Sequence, residues 1–191
     1  MPEVNSLKHR KVDRILGENR IETSINLSQK YYKRADTVVI ADAGGYPDAL
    51  SASSLAKALK APILLSNSED LNEAVKAEIQ RLEPKNVVII GGENSISKEV
   101  EEKLGKATGL SLQRISGDDR YETSARVARE IVERTGEVDK AVIASGEVFA
   151  DALAAAPLAS KETAPILLLG KTDASEIILE TIKDLNIKYI Y

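Results

Sequence analysis

The chain has 191 residues, 43% hydrophobic and 29% charged, enough to bury a core in one large or two small domains. A net charge of −4 argues against a general nucleic-acid binder, which carries a basic excess to displace counterions. There is no Cys and one His, His9, which removes thiol catalysis, Cys-ligated metals and nearly every mechanism built on a positioned imidazole.

With no Trp and one Phe, the core must be aliphatic. No run approaches the roughly 20 apolar residues of a membrane span. The opening Met1-Pro2-Glu3-Val4-Asn5-Ser6 lacks the apolar core of a signal peptide, so the chain reads either as cytosolic or as a piece excised from something exported.

After a polar tail (1–11), the stretch Arg14-Ile15-Leu16-Gly17-Glu18-Asn19-Arg20-Ile21-Glu22-Thr23-Ser24 leads into a helical pattern. Asn19, three residues before Glu22, predicts a reciprocal cap: the Asx side chain accepts from the third helical N–H, and the Glu reaches back to the cap's own N–H. Ile21, Ile25, Leu27 and Tyr31 would form the buried face.

Continuous β-branched runs follow at Thr37–Ala41, Pro62–Leu65 and Asn86–Ile90, and later at Ala141–Ala144 and Pro165–Leu169. Unbroken apolar runs are the mark of parallel strands buried on both faces. Between them lie helical periods such as Leu71, Val75, Ile79 and Leu82, and the segment Ile96 to Leu104. This alternation predicts parallel sheets flanked by helices, with right-handed crossovers.

Arg114-Ile115-Ser116-Gly117-Asp118-Asp119-Arg120-Tyr121-Glu122-Thr123-Ser124 repeats the opening stretch 100 residues later, with seven of eleven positions identical. Tyr121, Ala125, Val127 and Ile131 answer to the first helix face. Asp48-Ala49-Leu50 returns as Asp151-Ala152-Leu153, now 103 residues on, and the turn-like Thr135–Asp139 is the natural place for the three added residues. The chain is therefore two α/β repeats, Rossmann- or toprim-like, over 12–110 and 111–191. The second stops at Lys188-Tyr189-Ile190-Tyr191, within what should be a strand, so it reads as incomplete and implies a native C-terminal continuation. No flexible linker separates the repeats, which predicts intimate packing between them.

Arg20 and Arg120 would sit at the first helical position, where the helix dipole disfavours a cation by roughly 0.3–1 kcal/mol. Arg14 and Arg114 lie six residues earlier, within or at the start of a short strand. A guanidinium there, placed twice, pairs with an acid or binds an anion. Asp48 and Asp151 open later helices at the same sheet edge, so an internal Arg–Asp bridge and ligand contact are equally open. Gly44-Gly45 and Gly91-Gly92 follow strands but fit no nucleotide-binding pattern, and the acidic run Glu99–Glu102 reads as a solvated helix face. Asp42 becomes Ser145 in the second copy, against a carboxylate-pair active site carried by both.

Four motifs in order, Arg-Ile-x-Gly-x-(Asp/Asn)-Arg-(Tyr/Ile)-Glu-Thr-Ser, Ala-x-Gly-x-x-x-x-Asp-Ala-Leu-x-Ala, Ala-Pro-Ile-Leu-Leu and Val-Val-Ile-Ile-Gly-Gly, resemble the cell wall-binding repeat 2 family of Gram-positive surface and S-layer proteins. The resemblance spans nearly the whole chain from Arg14. It implies a non-enzymatic, secreted anchoring module at the cell wall, holding a surface protein non-covalently to an anionic, teichoic-acid-like wall polysaccharide. Such repeats occur in threes about a pseudo-threefold axis, so packing with a third repeat or with another copy is expected. Arg14, Arg20, Arg114 and Arg120 become candidates for polymer phosphates, with Asp48 and Asp151 positioning them or accepting from sugar hydroxyls. No metal, cofactor, nucleic acid or membrane span enters this reading. The alternatives are a sugar- or nucleotide-processing enzyme on a doubly wound sheet, by fold analogy only, and an oligomerisation scaffold.

Overall fold

The computed structural model describes residues 13–171 and 175–191; the expected N-terminal tail and His9 lie outside them. The chain runs α1 (Arg20–Tyr31), β1 (Thr37–Asp42), α2 (Tyr46–Leu59), β2 (Ile63–Ser66), α3 (Glu73–Leu82), β3 (Asn86–Ile90), α4 (Lys98–Thr108), β4 (Leu112–Ile115), α5 (Arg120–Thr135), β5 (Lys140–Ser145), α6 (Phe149–Glu162), β6 (Ile166–Leu169), α7 (Glu176–Asp184) and β7 (Tyr189–Ile190).

Two sheets form, in the orders β2-β1-β3-β4 and β6-β5-β7, and every pairing is parallel. The expected α/β architecture of tandem parallel-sheet units is thus present. The unbroken apolar runs are explained by burial on both faces of the first sheet. Val38, Ile40, Leu64, Val87 and Ile89 face α1, α3 and α4, while Val39, Val88, Ile90 and Ile115 face α2 and α5.

The repeats interlock at three points. Strand β4, on the second-repeat side of the expected boundary, hydrogen-bonds to β3 and completes the first sheet. Helix α5 serves both sheets: Val127 and Ile131 pack beneath the first, Ala125 and Ala128 against the second. Helix α2 lies against both α5 and α6, and its Leu50 joins the core of the second sheet.

Helix endings repeat as faithfully as sequence. Lys60 and Thr163 end α2 and α6 in the left-handed region at φ 53° and 55°, and Glu83 and Asn186 follow α3 and α7 at 49° and 52°. Left-handed closure satisfies end carbonyls, here without the glycine that usually carries it.

Three sequence expectations need correction. The inserted residues lengthen a helix rather than a turn, since α5 has 16 residues against 12 in α1. Leu27 and Tyr31 are not buried; they are 42% and 67% exposed, while their counterparts Val127 and Ile131 are fully covered by packing beneath the first sheet. Arg14 lies in irregular backbone, because the first repeat has no preceding strand of the described residues to pair with it, whereas Arg114 lies in β4.

Candidate functional site

The repeated eleven-residue stretch is a self-supporting helix entry. Asn19 Oδ1 and Asp119 Oδ1 accept from the backbone N–H of Glu22 and Glu122 at 3.0 and 2.8 Å. The glutamates reach back one residue further than expected, to the N–H of Glu18 and Asp118 at 2.8 and 2.7 Å. Thr23 and Thr123 accept from the N–H of Gly17 and Gly117 at 3.0 and 2.9 Å. Ser24 and Ser124 accept from the N–H of Leu65 and Leu168, tying each helix to the neighbouring strand at 3.1 and 3.0 Å. Gly17 and Gly117 are required because a Cβ on either would stand 2.7 Å from the backbone nitrogen of Thr23 or Thr123.

The arginines of the motif also repeat their geometry. Arg20 Nη1 donates to the carbonyl of Ala43 at 2.6 Å, and Arg120 Nη1 to the carbonyl of Gly146 at 2.5 Å. Each latches the loop after the following strand, and neither forms an ion pair with Asp48 or Asp151 among the described residues. Both residues are exposed, and among the described residues nothing accepts from their Nε or Nη2.

Arg114 is placed differently. Its Nε and Nη2 bind Glu101 at 3.2 and 2.9 Å, and its Nη1 binds the carbonyls of Gly91 and Gly92 at 2.7 and 3.1 Å. With its donors spent inside the fold, it shapes the Gly91-Gly92 turn rather than facing a ligand. Arg14 is exposed and makes no hydrogen bond or ion pair among the described residues.

At the carboxyl ends of the first sheet, where the second copy of the motif meets the first repeat, a cleft of about 480 Å³ opens. Asp48, Glu93, Asn94 and Ser95 line it from the first repeat, and Asp118, Asp119 and Arg120 from the second. Asp48 is only 8% exposed and accepts from Ser95 Oγ at 2.7 Å. Burial pushes its carboxyl above the ordinary range; the Ser95 bond pulls it back, the nearby Asp42 charge raises it and the Arg120 charge lowers it.

Asp151 occupies the corresponding place on α6 but is exposed. In the first repeat the Gly91–Ser95 turn closes over Asp48, whose Oδ2 takes the Ser95 hydroxyl. Arg20 lies at a second recess, about 230 Å³, bordered by Asp42, Tyr46, Leu50, Phe149 and Leu153. The structure therefore brings Arg120 and Asp48 into one cleft and keeps Arg20 and Asp151 out of it. Glu93, Asn94, Ser95 and Asp118 were missed by motif reading; the signal for the first three was the Gly91-Gly92 turn, which delivers them to the strand ends.

The family model for cell wall binding domain 2 (CWB2) matches residues 14–101 and 114–191, one match for each repeat. The chain belongs to the CWB2 family. Its CWB2 repeats are 38% identical over 182 residues to N-acetylmuramoyl-L-alanine amidase LytC of Bacillus subtilis (strain 168), covering 95% of this chain and 36% of that protein. They are 41% identical over 159 residues to the amidase enhancer of the same organism, covering 83% of this chain and 22% of that protein. The chain thus spans about a third or less of these relatives' length. Among solved structures, Cwp6 from Clostridium difficile superposes with a TM-score of 0.86 at 30% identity, covering 96% of this chain and 31% of that one. Cwp8 from the same organism gives 0.81 at 31% identity, covering 88% and 29%. Membership of the family makes cell wall binding the function and supports the cell wall or surface as the location.

Proposed function

We propose that the chain is a non-catalytic module that anchors a secreted surface protein to an anionic secondary wall polysaccharide of teichoic-acid type. The observation that carries this reading is the cleft between the repeats, where Arg120 keeps unspent donors beside the mostly buried acceptor Asp48. Arg120 takes a phosphate of the polymer, and Asp48 accepts from a sugar hydroxyl. Arg20 and Asp151 are the equivalent half-sites, and Arg14 adds positive charge near the first motif. Weak contacts repeated along one polymer sum through effective concentration.

A further repeat, from a longer chain or another copy, covers the faces left open. Val148, Phe149, Leu153 and Leu158 on and beside α6 are 41–53% exposed, and Leu27 and Tyr31 on α1 are also exposed, while their counterparts on α5 are buried by the neighbouring repeat. Sizing in solution by light scattering tests whether this chain associates with itself.

Co-sedimentation with purified walls of the source organism tests the anchoring role. The protein is expected to pellet with intact walls, less at high salt and less after Arg20→Ala with Arg120→Ala. Undiminished binding to walls stripped of their anionic polymer would overturn the reading. Turnover of a wall sugar or nucleotide that disappears with Asp48→Asn would favour an enzyme instead.

A further inference from the structure

Resting on that wall-binding role, we infer that the cleft between the repeats recognises the wall polymer mainly through the hydroxyl groups of its sugars, with Arg120 as a single anion contact. The charge lining the cleft decides this. Asp48, Glu93, Asp118 and Asp119 face one cation, Arg120. One phosphate or carboxylate fits beside Arg120; a second would approach uncompensated carboxylates. An ionised carboxylate only accepts hydrogen bonds, and sugar hydroxyls supply the donors that ionised phosphodiesters lack.

The bonding within the cleft leaves these acceptors unfilled. Ser95 donates to Oδ2 of Asp48, and among the described residues no group donates to its Oδ1, although the residue is over nine-tenths buried. Asp119 spends one oxygen on capping α5. The carboxylates of Glu93 and Asp118 take no hydrogen bond or ion pair from the described residues, and both residues are exposed at the mouth. Oδ1 of Asp48 is not among the buried atoms left without a partner, so it opens onto the cleft, where a sugar hydroxyl can replace water and form a charge-assisted hydrogen bond.

The lining is also shaped for a ring to lie close to backbone. Gly45, Gly92 and Gly117 contribute no side chains to it, and a Cβ on Gly92 would meet nothing within 4 Å, so that position opens onto free space.

The two modes of recognition predict opposite signs for one double variant. If the carboxylates accept from sugar hydroxyls, Glu93→Gln with Asp118→Asn weakens binding to purified walls, by about tenfold for two charge-assisted hydrogen bonds. If the cleft holds the polymer by its charges, removing two like charges leaves binding unchanged or tighter, and the inference is overturned. Gly92→Leu fills the cleft without a backbone penalty and is expected to abolish binding; wall binding equal to wild type would place the polymer elsewhere and overturn it too. A wild-type protein that fails to pellet with walls at all removes the wall-binding role itself, a result distinct from either variant outcome. Circular dichroism melts of each variant separate lost binding from lost folding.

Discussion

Tyr46 and Phe149 occupy the same position in the two repeats, each the first residue of its helix, and their rings meet edge to face with centroids 5.9 Å apart at 61°. Equivalent residues can touch only if they lie close to the axis that relates the repeats. The Tyr46 hydroxyl also donates to the Glu147 carbonyl at 2.8 Å, fixing the second repeat's loop to the first repeat's helix. This contact adds to the β3–β4 pairing and the packing of α2 on α5 and α6 that join the repeats.

A double-mutant cycle measures that contact. Tyr46→Ala and Phe149→Ala are expected to show a coupling of about 0.5–1.5 kcal/mol in urea unfolding, as edge-to-face aromatic pairs do. Additive effects would mean that the rings do not meet in solution.

Gly117→Ala tests the helix entry. The new Cβ would stand 2.7 Å from the Thr123 nitrogen, so the entry must open and lose the bond between Thr123 and the Gly117 N–H. A destabilisation of about 1–3 kcal/mol is expected. Gly92→Ala, facing open space, should leave the denaturation midpoint near wild type.

Glu78 makes stability depend on acid. Its carboxylate is wholly buried and accepts from Ser28 at 2.5 Å, Gln29 at 3.3 Å and Arg81 at 2.7 Å, joining α3 to α1. Burial alone would raise its pKa, but the bonds from Arg81, Ser28 and Gln29 outweigh it and hold the group below its ordinary 4.5. A depressed folded pKa means the stabilisation is complete above the unfolded value and is lost as pH falls through the folded one. Thermal midpoints should therefore drop between about pH 5 and pH 3 in wild type, and Glu78→Gln should be less stable at pH 6 with a flatter acid limb.

Asp48 has the opposite sign. Its folded pKa is raised above the ordinary 3.8, first by burial, so the ionised carboxylate costs stability at neutral pH; the cost shrinks as pH falls through the folded pKa and is gone below the unfolded value. Asp48→Asn keeps an acceptor for Ser95 and removes the buried charge. It should melt at a higher temperature than wild type at pH 7, lose that advantage in acid, and bind walls less well. A variant both more stable and fully active in wall binding would take Asp48 out of the site.

The second repeat shows how the same fold tolerates exchanged chemistry. Where the first repeat joins α1 to α3 through Gln29, Glu78 and Arg81, the second joins α5 to α7 through Arg129, Thr181 and Asp184 at 3.0 and 3.1 Å. The basic partner has moved from the third helix of the repeat to the first and the acid has stayed, so the bridge survives. Aligning the repeats shows the exchanged residue types, but not that they meet, because the partners stand about half a repeat apart.

Sequence by itself determined the repeat, the alternation of elements, the parallel strands and the caps at Asn19 and Asp119. All of these rest on local periodicity, or on side chains bonding backbone a few residues away, and such terms act wherever the segment sits. Only tertiary structure decided the rest. Leu27 and Tyr31 stand at the helix-face positions of Val127 and Ile131, yet one pair is open and the other fully buried, because burial depends on what packs against the helix. Arg114 and Arg120 belong to one motif, but the first finds Glu101 and two carbonyls while the second keeps free donors over a cleft. That difference arises because β4 is drawn into the first sheet, and the cleft itself exists only where residues more than twenty positions apart are folded to one edge.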